Sequence, residues 1–225
     1  MRNNTLFPDD LTLYIFQDGS YFYGTASNLE QKRDVDLIEV YLMHTRDVFT
    51  GEKQKAVHQQ FEKWGLKFDI KSYELGHFLN LIMKGNIQLI EKTLLLHHTN
   101  TLYMSEIGGK LALLLYDFAM ASLESSSFSH LLGWANNTLN LIDEKGLNTK
   151  RALLIYRILT TAYCWFKNKS LVSKYPEILE YTRPSSKKYM EFVYNKRMGR
   201  KLIEYQSVEI EKDIESYLAE VQTMR

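Results

Sequence analysis

The chain has 225 residues, with 28 basic and 27 acidic side chains and a formal net charge of +1 at pH 7. That balance excludes a globally basic nucleic-acid binder, so any signal for such a partner has to be local. A single cysteine, Cys164, excludes an internal disulfide framework and a thiolate metal site, and a 45 % hydrophobic content is ample for a core.

The opening residues, MRNNTLFPDD, lack the apolar stretch of a signal peptide, and nowhere do eighteen apolar residues run together. The sequence therefore predicts a cytoplasmic protein with no membrane partner. Residues 11–17 (LTLYIFQ) form a nearly continuous apolar run closed by Asp-Gly, as expected of a strand buried on both faces. Gly19-Ser20 follows it. Residues 34–42 (DVDLIEVYL) alternate, with Val35, Leu37 and Glu39 on one face and Asp34, Asp36, Ile38 and Val40 on the other. Residues 66–71 (LKFDIK) predict a third strand, with Phe68 and Ile70 opposite Asp69. The period then changes to 3.6, giving two helices over 73–83 and 87–95, separated at Gly85-Asn86. From about residue 100 no strand is expected. Helices are predicted near 109–126, 129–144, 149–168, 184–197 and 203–223, with Cys164 as a buried core thiol in the third of them. The pattern is α+β, with a small sheet in the N-terminal half and a packed helical C-terminal half.

Residues two apart on a strand point the same way, so Asp34 and Asp36 share a face. Side-by-side carboxylates repel unless a cation neutralises them, and hard oxygen ligands suit Mg²⁺ or Mn²⁺. Asp69, on a separate strand, is the candidate third ligand. Three such carboxylates suit a pair of metals about 3.5–4 Å apart, the arrangement used for in-line phosphoryl or nucleotidyl transfer. Gly19 lets a backbone approach a phosphate closely, and Ser20 offers a hydroxyl and an N–H at the start of a helix. Gly-Ser would thus grip the phosphates of a nucleoside triphosphate (NTP) while Asp34 and Asp36 hold the metals.

The order of these motifs resembles the nucleotidyltransferase superfamily typified by DNA polymerase β. GSYFYGTAS followed by DVDL is similar to the signature of its RNA-repair-associated branch, found in bacteria and their phages. The similarity continues through DIKSYELGHFLNLIMKGNIQLIEKTLL and, less sharply, through KRALLIYRIL and NKRMGRKLIE. The resemblance implies a polymerase β-like nucleotidyltransferase fold with a small mixed sheet, followed by a helical C-terminal region. It implies a catalytic domain over 1–98 and a helical domain over 99–225. It also implies Gly19 and Ser20 at the nucleotide phosphates, Asp34, Asp36 and Asp69 at the metals, and Asn86 and Glu91 bordering the site. Two departures stand out: Tyr21 where the branch has Arg, and Ile38-Glu39 where it has Arg-Gly. They leave an altered substrate, weaker nucleotide binding or a degenerate site open.

Six scattered histidines form no metal array. Lys150 and Arg157 are seven apart and so share a helix face, either as solvated cations or as replacements that hold the triphosphate. Residues 181–203 carry seven basic side chains against Glu191 alone, with Tyr181, Tyr189 and Tyr194 interleaved. Lys196, Arg197, Arg200 and Lys201 of this belt are the candidate contacts to a nucleic-acid acceptor. The alternative is a basic helix paired with the acidic one that follows. The sequence thus predicts an enzyme moving NMP from an NTP to an acceptor hydroxyl, with Asp69 taking the acceptor's proton and RNA as the acceptor. Its rivals are nucleotidylation of a protein partner, a glycosyltransferase using Asp-x-Asp, and a nucleotidyltransferase-like module that binds without catalysis.

Overall fold

The computed structural model describes residues 11–26, 34–45, 49, 56–96, 101–123, 125–172, 174–200 and 205–224. The chain divides into two compact units: Met1–Gly19 with Lys32–Leu123, here the sheet unit, and Ser20–Gln31 with Glu124–Arg225, here the helical unit.

The sheet unit is built on five strands: β1 (Thr12–Gln17), β2 (Asp34–Tyr41), β3 (Val57–Lys63), β4 (Leu66–Glu74) and β5 (Thr101–Met104). They form one mixed sheet in the order β3-β4-β2-β1-β5. Strand β1 lies inside the sheet, between β2 and β5, and Leu13, Tyr14 and Phe16 are all buried, as its unbroken apolar run predicts. It pairs antiparallel with β2 and β5, while β2 pairs parallel with β4. Two strands depart from the sequence reading. Strand β3 (VHQQFEK) lies at the sheet edge and is mostly exposed, so it has no apolar face for a pattern to reveal. It pairs antiparallel with β4 through a two-residue turn, Trp64-Gly65, in which both residues have positive φ (53° and 73°). That is the backbone of a type I′ hairpin. Strand β5 corrects the expectation that no strand follows residue 100: four residues at the other edge are too few to show alternation.

A single turn, α1 (Gly19–Phe22), follows β1. Three further helices complete the sheet unit: α2 (Leu75–Met83), α3 (Ile87–Leu94) and α4 (Glu106–Ala121). Glu74, Asn86 and Ser105 cap them, each side chain accepting a main-chain N–H three residues on. Phe78, Ile82, Ile87 and Ile90 are buried, in line with the 3.6-residue period of this stretch. Because β5 pairs with β1, β5 and α4 cluster with the sheet, and this unit extends to Leu123.

The helical unit contains α5 (Ser125–Lys145), α6 (Thr149–Asn168), α7 (Ile178–Tyr181), α8 (Pro184–Arg197) and α9 (Ser207–Thr223). Helix α6 is its axis. Leu153, Ile155, Tyr156, Ile158, Leu159 and Cys164 are all buried along it, and burial pushes the Cys164 thiol up to about 11. Pro184 starts α8 at the position where its missing N–H costs nothing. No helix among the described residues is long and apolar enough to cross a membrane.

Candidate active site

The parallel pairing of β2 with β4 sets Asp36 beside Asp69 and Asp34 beside Lys67. In-register neighbours on adjacent strands point to the same face, so Asp34, Asp36 and Asp69 lie on one face of the sheet. They line an open groove of about 460 Å³ together with Gln60, Glu62 and Lys67. Asp34 is exposed and Asp36 and Asp69 are half-buried. The three share a face but not a point: among the described residues, no three His, Cys, Asp or Glu side chains come close enough to hold a metal ion. Asp69 is engaged from strand β3. Gln60 Nε2 donates to one Asp69 carboxylate oxygen at 2.8 Å, and His58 Nε2 lies 2.6 Å from the other. Partial burial pushes the Asp69 carboxyl up, but Gln60, His58 and the charge of Lys71 outweigh it and hold it below the usual carboxylate range. The donor chemistry of Asp34 and Asp36 fits a hard divalent cation.

Gly19 meets this face directly. Its φ is +63°, and a Cβ placed on it would sit 1.9 Å from Asp36 Oδ2. Glycine is thus required twice, for the left-handed backbone and for the room taken by the carboxylate. The main-chain N–H of Asp18 donates to the carbonyl of Asp36 at 2.8 Å, tying the end of β1 to the middle of β2. The Asp18 carboxylate is 2.9 Å from Lys92 Nζ, on a side chain with no solvent exposure, and 3.9 Å from Lys71. Burial pushes the Asp18 carboxyl up, yet the charge and hydrogen bond of Lys92, the Gly19 N–H and the Lys71 charge together hold it below its ordinary value.

Asp18, His58, Gln60 and Lys92 are the site-face residues that the sequence reading missed. Asp18 was visible only as half of a strand-ending Asp-Gly pair. His58 and Gln60 lie two apart on a strand that carried no pattern of its own. Lys92 follows Glu91, the residue expected to border the site. Glu91 is fully buried in α3, and Asn86 caps that helix through an acceptor bond from Leu89 N–H.

The other sequence candidates lie in the helical unit. Ser20 is its first residue, and the Ser20 carbonyl accepts the Thr25 N–H at 2.8 Å. Lys150 is exposed and Arg157 is 1 % exposed, so of the two readings of this pair a shared solvated face does not hold for Arg157. The Arg157 guanidinium instead lies 3.8 Å from the centre of the Tyr23 ring and 5.0 Å from that of Trp134. In the basic belt, Lys196 and Arg200 are exposed and Arg197 is half-buried, while Lys201 lies outside the described residues. Arg183 is buried and pairs with Asp213 at 3.0 Å and Glu220 at 2.9 Å. At that end the belt is the basic helix paired with the acidic helix after it.

The RNA repair pathway DNA polymerase beta family (RlaP) matches residues 9–225. The chain belongs to that family. Membership of this polymerase β family makes the α+β arrangement a nucleotidyltransferase fold and gives general nucleotidyl transfer as its chemistry. A solved nucleotidyltransferase-like protein from Exiguobacterium sibiricum 255-15 is 12 % identical, with a TM-score of 0.35 over 96 % of this chain and 69 % of that one. A likeness of that size carries no argument about the site. No curated protein matches the sequence.

Proposed function

We propose that this polymerase β family member is an NTP-dependent nucleotidyltransferase that uses Mg²⁺ or Mn²⁺ and has RNA as its acceptor. One observation carries the reading: Asp36 is in register with Asp69 on parallel strands, with the Gly19 backbone packed against the Asp36 carboxylate. Asp34 and Asp36 would hold the cation, which when bound supplies charge stabilisation to the triphosphate. Gly19, free of a side chain, lets its main chain lie against the Asp36 carboxylate, and the Ser20 N–H and hydroxyl that follow it would meet the phosphates. The acceptor oxygen bonds to the α-phosphorus, the bond from that phosphorus to pyrophosphate breaks, and the hydroxyl proton passes to Asp69. Gln60 and His58 orient Asp69 for that transfer. The exposed Lys196 and Arg200, with Lys187 and Lys188 on α8, offer cations to the acceptor's phosphates. The family's description as an RNA repair pathway supports RNA over other acceptors.

Incubation with each labelled NTP, Mg²⁺ and total RNA tests this reading. Label should enter RNA and should be lost in Asp36→Asn, which removes charge with little change in volume and leaves the fold intact by circular dichroism. Label on protein instead would move the acceptor to a protein side chain. An Asp36→Asn variant as active as wild type would remove the carboxylate face from the mechanism.

A further inference from the structure

The segment after Gly19 is held far more heavily than a turn requires, by several side chains and main-chain groups of the helical unit to which it belongs. Phe22 and Tyr23 are buried, and the Arg157 guanidinium lies 3.8 Å over the Tyr23 ring. Lys174 Nζ lies 4.9 Å over the Phe22 ring. The Tyr175 N–H donates to the Tyr23 carbonyl at 3.0 Å. Gly24, at φ +70°, packs so closely that a Cβ would lie 2.4 Å from the Tyr175 carbonyl oxygen. Arg197 Nε donates to the Thr25 carbonyl at 3.4 Å, and Thr25 N–H donates to the Ser20 carbonyl at 2.8 Å. Three cationic side chains, Arg157, Lys174 and Arg197, therefore end on a six-residue loop that closes back on Ser20.

From this geometry we infer that Arg157 and Arg197 are positioning residues for the nucleotide, fixing the Ser20–Thr25 loop so that the Gly19-Ser20 main chain is preset to receive phosphate. The inference rests on the proposed role of Gly19 and Ser20. A buried guanidinium is a costly way to fill a core, since apolar residues of similar volume often do as well or better. What it adds is geometry: a rigid planar group that stacks on a ring and fixes its position. Arg157 sits in the middle of α6, so the loop is referenced to the most deeply buried face of that helix. Arg197, at the C-terminal end of α8, adds a second fixed point beyond Tyr23. The chain runs without interruption from Tyr23 back to Gly19, with only three residues between them. Arg197 thereby changes role, from an acceptor contact to a support for the nucleotide end of the reaction.

The test is NTP affinity by calorimetry, using a non-hydrolysable NTP with Mg²⁺, for wild type, Arg157→Met, Arg197→Gln, Tyr23→Phe and Tyr23→Ala. Arg157→Met should weaken binding by roughly tenfold, the equivalent of one desolvated cation–π contact. Arg197→Gln should weaken it a few-fold, and Tyr23→Phe should retain more affinity than Tyr23→Ala because the ring remains. In turnover assays well below each melting temperature, the KM for NTP should rise while kcat at saturating NTP stays near wild type. A purely structural role would lower the melting temperature and leave that split unmoved. If Arg157→Met does not fold, the half-buried Arg197 carries the test. Wild-type NTP affinity in both Arg157→Met and Arg197→Gln overturns the inference while the proposed function stands. A wild-type protein that binds no NTP removes the proposed function, and the inference with it.

Discussion

Two residues at the end of β1 decide whether the carboxylate face exists. Gly19 cannot carry a methyl group without displacing Asp36, because the added carbon would overlap Oδ2 at 1.9 Å. The left-handed backbone adds roughly 1–2 kcal/mol of strain for any other residue. Gly19→Ala should therefore lose Mg²⁺-dependent transfer as completely as Asp36→Asn, while Ser20→Ala, which removes one hydroxyl, should lose much less. Transfer assays on the three variants check that order. Asp18 acts through charge. Its carboxyl is held below the ordinary value of 3.8, so its ion pair with Lys92 stabilises the fold at pH values above about 4. That contribution is lost as the pH falls through the lower, folded-state value. Lys92→Met leaves the largely buried Asp18 carboxylate with only the longer Lys71 contact and the Gly19 N–H, and should cost about 2–4 kcal/mol near neutrality. The gap in unfolding free energy between this variant and wild type should narrow as the pH falls below 4 and through the lowered folded-state value of Asp18, beneath which the carboxyl is protonated in both. Denaturant melts at pH 7 and pH 3 measure it.

At the scale of elements, the β3–β4 hairpin brings chemistry that its sequence conceals. It delivers His58 and Gln60 to Asp69, and its turn is made by Trp64, 70 % exposed, in a left-handed conformation better suited to Asn. Trp64→Asn should relieve strain of roughly 1 kcal/mol, less the stacking of Lys63 on the indole at 4.7 Å. A rise in melting temperature of about 1–3 °C is expected, read by a thermal melt. Strands β1, β2 and β4 were legible because each puts apolar residues into the core, with Leu37, Ile38, Val40 and Phe68 among them. The long helices were legible for the same reason, and α6 and α8 keep their expected bounds. Strands β3 and β5 were not, since an edge strand is specified by the neighbour whose hydrogen bonds it takes. The site divides along the same line. The common face of Asp34, Asp36 and Asp69 follows from alternation, but the engagement of Asp69 by β3 follows from pairing. The burial of Arg157 was not legible because seven-residue spacing fixes a helix face without saying what covers it.

Over the whole molecule, charge separates into structural and available cations. Arg183 is spent on Asp213 and Glu220, and Arg197 reaches a main-chain carbonyl, whereas Lys196 and Arg200 are exposed. If the exposed pair meets RNA phosphates, changing both to Gln should flatten the slope of log K against log salt by about 1.4, at roughly 0.7 per contact on a single strand. Arg183→Gln should leave the slope alone and lower stability. Filter binding across a salt series, with a melt of each variant, separates the two.

The helical unit is discontinuous along the chain: residues 20–31 belong to it, although more than ninety residues of sheet unit intervene before it resumes at Glu124. A gene fragment beginning near residue 124 would therefore encode an incomplete body, with the Arg157 guanidinium exposed where Tyr23 had covered it. The early segment would have to be supplied as a separate peptide or joined to a new end for that body to close. The same threading ties the two halves of the coding sequence together, because neither can be exchanged for a relative's without carrying part of the other. Shuffling at the apparent midpoint would part Tyr23 from its arginine, and the natural exchange unit is the whole chain.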